Sequence, residues 1–168
     1  MSSITPPIAA FAATSDAPAA SDSSQVVDQL NSLLRGEISA AETYRMAIDK
    51  LSADHSSELG LLREIQEEHG RGAQSLRDRI RELGGEASDA SGAWGVWAKM
   101  VQGMAEFFGD VSSLKALKEG EEHGLKDYEE ATEKVDVTSR QLIQNQFVPA
   151  QQRHIAVLDQ LISLSAQK

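Results

Sequence analysis

The chain has 168 residues, no cysteine, 40% apolar but only 5% aromatic residues, a net charge of −10 and an isoelectric point near 4.8. That length suits one domain with a real core better than two marginal ones, and a composition poor in aromatic residues points to helices rather than strands. Missing thiols exclude disulfides and thiolate metal sites, and the acidic balance argues against a nucleic-acid backbone or an anionic membrane as partner while suiting cations.

Residues 1–23 are rich in Ala, Ser and Pro and contain no Lys or Arg. They predict a flexible tail, with neither the basic start nor the continuous apolar run of a signal peptide. No stretch reaches the roughly 18 uncharged apolar residues of a spanning helix, so the cytoplasm is the expected compartment. The domain proper is expected to occupy residues 24–168.

From Ser24, Leu30, Leu33, Leu34, Ile38, Ala41, Tyr44, Ile48 and Leu51 recur at three- and four-residue spacing, which predicts a first amphipathic helix. Leu59, Leu62, Ile65, Leu76, Ile80 and Leu83 predict a second, stopped by Gly84-Gly85. Residues 86–112 form a Gly- and Ser-interrupted connection in which Trp94, Trp97, Val101, Met104 and Phe108 share one helical face. A short helix there is expected to pack on the bundle or on a neighbouring subunit. Membrane contact is disfavoured by Lys99, Glu106 and the overall charge.

Leu114, Leu117, Leu125, Tyr128 and Val135 mark a third helix. A fourth, capped by Thr138 or Ser139, carries Leu142, Ile143, Phe147, Val157, Leu158, Leu161 and Ile162. Pro149 predicts a kink just before Gln151, because it removes one backbone hydrogen bond. Short turns within each helix pair and a long connection between the pairs predict an all-α, antiparallel four-helix bundle with one crossover.

The two helix pairs repeat each other. "RGEISAAETY" of the first helix lies 84 residues before "EGEEHGLKDY" of the third, matching Gly36 with Gly120, Glu37 with Glu121 and Tyr44 with Tyr128. The second and fourth helices match at an offset of 85, pairing Gln66 with Gln151, His69 with His154 and Leu76 with Leu161. Every one of these polar positions falls on an apolar stripe. The interior is therefore expected to hold two Glu, two His and two Gln, with both Tyr nearby. Buried carboxylates are costly without a partner, so the cluster must pair internally or bind a cation.

In this order of ligands the chain resembles the ferritin-like di-metal carboxylate proteins, whose usual set is Glu, Glu-x-x-His, Glu, Glu-x-x-His on four helices. Within that superfamily, "RDRIRELGGEAS" followed by the Trp-containing connection and "EGEEHGLKDYEEA" is similar to a functionally uncharacterised bacterial branch carrying a domain of unknown function. The resemblance spans residues 24–165. It implies Glu37, His69, Glu121 and His154 as metal ligands and Tyr44 and Tyr128 as their supports. It also places Gln66 and Gln151 where the family has its bridging glutamates. A neutral amide cannot supply negative charge between two cations about 3.5–4 Å apart, so an intact di-iron centre is not expected.

Three states of the cluster stay open at this level. It is a metal-free hydrogen-bonded network, a site for one divalent Zn, Fe or Mn ion, or a two-metal site completed by Glu64, Glu67, Glu68 or Glu122. Those acids read more simply as a solvated flank. His55 and His123 read as solvated too. No nucleophile motif or phosphate loop is present, so a non-catalytic role is expected, in a homo-oligomer such as a dimer. The competing reading is a metal-free interaction or structural bundle that uses the aromatic connection 94–108 as its surface.

Overall fold

The computed structural model describes residues 20–50, 56–91 and 111–165. The expectations for His55, for the Trp-containing helix 94–108 and for most of the N-terminal tail lie outside those residues. Among the described residues the protein is all-α, and no helix is long and apolar enough to cross a membrane.

Helix α1 spans Ala20–Lys50 and α2 spans Ser56–Glu82. The start at Ala20 lies ahead of the expected Ser24, so the last residues assigned to the tail are helical. Two glycines end α2. Gly84 takes φ 76°, Gly84 N–H donates to the Arg81 carbonyl at 2.9 Å, and Gly85 N–H donates to that of Ile80 at 2.9 Å. This Schellman geometry satisfies the final carbonyls and needs a residue free to adopt positive φ. Gly85 also lies where a Cβ would strike Val27. The chain then doubles back along α1: Asn31 donates to the Glu86 carbonyl at 2.9 Å and accepts from Ser88 N–H at 2.8 Å, and Ser91 donates to Glu42 at 2.9 Å.

Helix α3 spans Val111–Ala131. The fourth long element is composite: α4 (Val137–Leu142), a π-helical turn (Ile143–Phe147) and α5 (Val148–Ser165). Its cap is Asp136, not Thr138 or Ser139; the Asp136 carboxylate accepts from both of those backbone N–H groups, at 3.0 and 3.2 Å. Asp136 is fixed by Arg79 of α2 at 2.9 Å, and burial of its carboxyl is outweighed by these donors, which hold it below the usual range. Directly upstream of Pro149, at the place where a kink before Gln151 is expected, lies one widened turn in which Val148 N–H bonds the Ile143 carbonyl. The extra residue also accounts for the repeat's uneven offset. Buried Ile143 corresponds to buried Leu59 at 84, whereas His154, beyond the π turn, corresponds to His69 at 85.

Helix α1 packs chiefly on α2, and α3 on α5. One apolar cluster joins Leu30, Leu33 and Leu34 of α1 to Leu76 and Ile80 of α2 and to Tyr128, Ile143 and Phe147. A second joins Tyr44 and Ala47 to Leu62, Ile65, Leu117, Leu158 and Leu161. Each fully buried Leu or Ile contributes about 1.5–3 kcal/mol. Between the two clusters lies a polar layer.

Candidate metal centre

Glu37, His69, Glu121, Gln151 and His154 are all buried, at 5% exposure or less. One arrives from each long helix, with α5 giving two. Glu121 is the hub. Its Oε1 lies 3.0 Å from His69 Nε2 and its Oε2 lies 3.1 Å from His154 Nδ1. Each ring then turns its other nitrogen to a further carboxylate: His69 Nδ1 to Glu37 at 3.1 Å, and His154 Nε2 to Glu68 at 3.0 Å. Both imidazoles are thus carboxylate-bound on both sides.

The tyrosines cross between the repeats. Tyr44 of the first half donates to Glu121 at 2.6 Å, and Tyr128 of the second donates to Glu37. Stacking orients both: Tyr44 lies on His69 with centroids 5.5 Å apart, Tyr128 on Phe147 at 4.9 Å. Gly72 leaves room for Glu37, since a Cβ there would collide with its carboxylate and press on Phe147.

Charge follows from these contacts. Burial pushes His69 down, but Glu121 and Glu37 outweigh it and hold the ring well above its ordinary value. Two carboxylate acceptors on one ring call for two N–H donors, which only the imidazolium has. Burial likewise pushes Glu121 up, yet His69 and then His154 hold it far below the usual carboxylate range. Burial, reinforced by Glu121 and Glu37 respectively, keeps Tyr44 and Tyr128 protonated well above the ordinary tyrosine value. Among the described residues no buried side-chain nitrogen or oxygen lacks a hydrogen-bond partner.

His69, Glu121 and His154 each offer a ligand atom within 4.8 Å of the other two. Two imidazole nitrogens and one carboxylate oxygen suit Zn, Fe or Mn, so the donor set fits a first-row divalent ion. Glu37 stands behind His69 instead of completing the trio. Gln151 is turned away, its amide donating to the Glu121 backbone carbonyl at 3.1 Å across Gly124. Gln66 is only half-buried and makes no side-chain hydrogen bond among the described residues, so the expected symmetry of the two glutamines fails. Glu64, Glu67 and Glu122 are exposed, as is His123.

Glu68 is the participant that sequence reasoning left in the solvated flank. It is half-buried, and although burial pushes its carboxyl up, His154 and Arg153 draw it below its ordinary value. Its matched position in the repeat holds Arg153, and that opposite charge was the available signal.

Two cavities flank the layer. One of about 180 Å³ lies between α1 and α3, lined by Gly36, Gly120 and Gly124 with Glu37, His69 and Glu121. Another of about 190 Å³ lies between α2 and α5, lined by Glu68, His69 and His154 with Arg71 and Arg153.

Fold and site together define an all-α protein with a buried Glu/His centre. The model of a family described as a domain of unknown function (DUF2383) matches residues 25–134, and the chain belongs to that family. The match takes in Glu37, His69 and Glu121 and ends before His154. No curated protein and no solved structure matches the chain.

Proposed function

We propose that the protein is a ferritin-like, antiparallel four-helix bundle that holds one divalent transition-metal ion at His69, Glu121 and His154. The observation that carries this reading is the two-sided arrangement of both imidazoles. Each presents one nitrogen to Glu121 and backs the other with a second carboxylate, Glu37 or Glu68. Carboxylates behind ligating histidines fix ring orientation and raise ligand basicity. Three ligands also leave further coordination positions, beside cavities that admit water-sized molecules.

The residues around the trio have definable tasks. Glu37 and Glu68 hold the rings, Tyr44 positions the Glu121 carboxylate, and Gln151 ties Glu121's backbone to α5. Bound there, the ion would supply Lewis acidity or, as Fe or Mn, one-electron chemistry. Neutral Gln66 and Gln151 at the bridging positions favour one ion over two. Titrating chelator-treated protein with Co²⁺, whose visible bands report its ligands, should give one equivalent with a His₂-carboxylate signature. The same titration of Glu121→Gln should lose it.

A second reading rests on a specific observation: the layer is fully hydrogen-bonded as it stands. On that reading the cluster is a polar core network that fixes helix register. Co²⁺ that binds with the same stoichiometry after Glu121→Gln, or does not bind at all, favours it.

A further inference from the structure

We propose that the Arg153 guanidinium stands in for a second cation and so limits the centre to a single divalent ion. This rests on the one-ion reading above and concerns what sets its stoichiometry.

Matched positions of the repeat touch each other at two places. His69 meets His154 with ring centroids 4.9 Å apart, and Glu68 meets Arg153 at 3.0 Å. Where two repeats related by a twofold meet at their axis, identical residues would face each other. At the histidines they do. At the second place the chain opposes Glu to Arg, and the Glu68 Oε2 atom that accepts from Arg153 is the same atom that faces His154 Nε2. Arg153 therefore already holds with its positive charge the Glu68 oxygen that faces His154, the carboxylate oxygen a second cation beside that ring would meet.

Charge balance leads to the same limit. Three carboxylates, Glu37, Glu68 and Glu121, contact the two imidazoles. One divalent ion with neutral imidazoles, plus the guanidinium, offsets those three negative charges. A second divalent ion beside Arg153 would leave excess positive charge next to His69 and Glu121, which are buried, and unbalanced buried charge is costly. Replacing Arg153 by Glu restores the repeat's own symmetry. It would also bring four carboxylates against two divalent ions.

The experiment is zinc per chain, measured by mass spectrometry after loading with excess Zn²⁺ and gel filtration. It compares the full chain with its Arg153→Glu and Arg153→Gln variants. Surface binding to this acidic protein is subtracted by making His69→Ala/His154→Ala in each background. Arg153 is an exposed side chain, and thermal unfolding verifies that the variants fold. One zinc is expected for the natural chain, more than one for Arg153→Gln, in which no guanidinium holds Glu68, and two for Arg153→Glu. Two zinc ions in the natural chain, or one in Arg153→Gln, overturns the role of Arg153 while leaving the metal site intact; two in Arg153→Glu alone would be the work of the added carboxylate. No zinc in the natural chain overturns both.

Discussion

His69 and His154, matched across the internal repeat, stand with ring centroids 4.9 Å apart and share the two oxygens of a single buried carboxylate, that of Glu121. Neutralising that hub leaves two imidazoles facing an amide in a buried layer. Glu121→Gln is expected to destabilise the metal-free protein by about 3–5 kcal/mol, the usual cost of breaking a buried charge pair from one side. Urea unfolding at pH 6 measures it, and a loss below about 1 kcal/mol would mean that the layer is held by its apolar neighbours.

Stability of the metal-free form should depend on pH with a definite sign. The folded His69 value lies above its ordinary 6.5, so its contribution is complete below about 6.5 and disappears as pH rises through the raised value. Glu121 lies below its ordinary 4.5, so its contribution is complete above about 4.5 and disappears as pH falls through the depressed value. The cluster therefore stabilises most between about pH 4.5 and 6.5. Urea midpoints should decline on the alkaline side in the natural chain and more gently in His69→Gln; parallel alkaline limbs would contradict this.

Tyr44→Phe removes a 2.6 Å donor from Glu121, and Tyr128→Phe removes the donor to Glu37, without changing ring packing. Each substitution strips a buried carboxylate oxygen of one partner, which costs about 1–3 kcal/mol. Equilibrium unfolding of the two single variants tests it. Neutral results would show that the remaining imidazole contacts satisfy the carboxylates alone.

Gly72 and Gly60 both lie in α2 but differ in surroundings. A Cβ on Gly72 meets the Glu37 carboxylate and Phe147, whereas a Cβ on Gly60 meets nothing within 4 Å. Gly72→Ala should therefore destabilise by about 1–3 kcal/mol through overpacking. By displacing Glu37 from His69 Nδ1 it should also weaken metal binding by about 10–100-fold. Gly60→Ala should stabilise by about 0.5–1 kcal/mol through helix propensity. Thermal melts and metal titrations of the pair verify the contrast.

Apolar periodicity sufficed to place the long helices and the Gly84-Gly85 stop, because both are local properties of the chain. Burial of Glu37, His69, Glu121, Gln151 and His154 was legible for the same reason: each occupies a register that the neighbouring leucines define. Partner choice was not. That Tyr44 reaches Glu121 and Tyr128 reaches Glu37, each across the repeat, depends on how the helix pairs dock. The Asp136 cap lay just upstream of the residues whose N–H groups it accepts. Glu68 sits beside His69 in a run of acids, and spacing alone does not separate the member that turns inward.

Whether His69, Glu121 and His154 hold one divalent ion is decided by metal content. Protein purified without chelator and then incubated with Fe²⁺, Zn²⁺ or Mn²⁺ is analysed by mass spectrometry beside the His69→Ala/His154→Ala variant. One equivalent per chain of at least one of these metals is expected in the natural protein and none in the variant. Equal metal in the two proteins, or none in either, would contradict it.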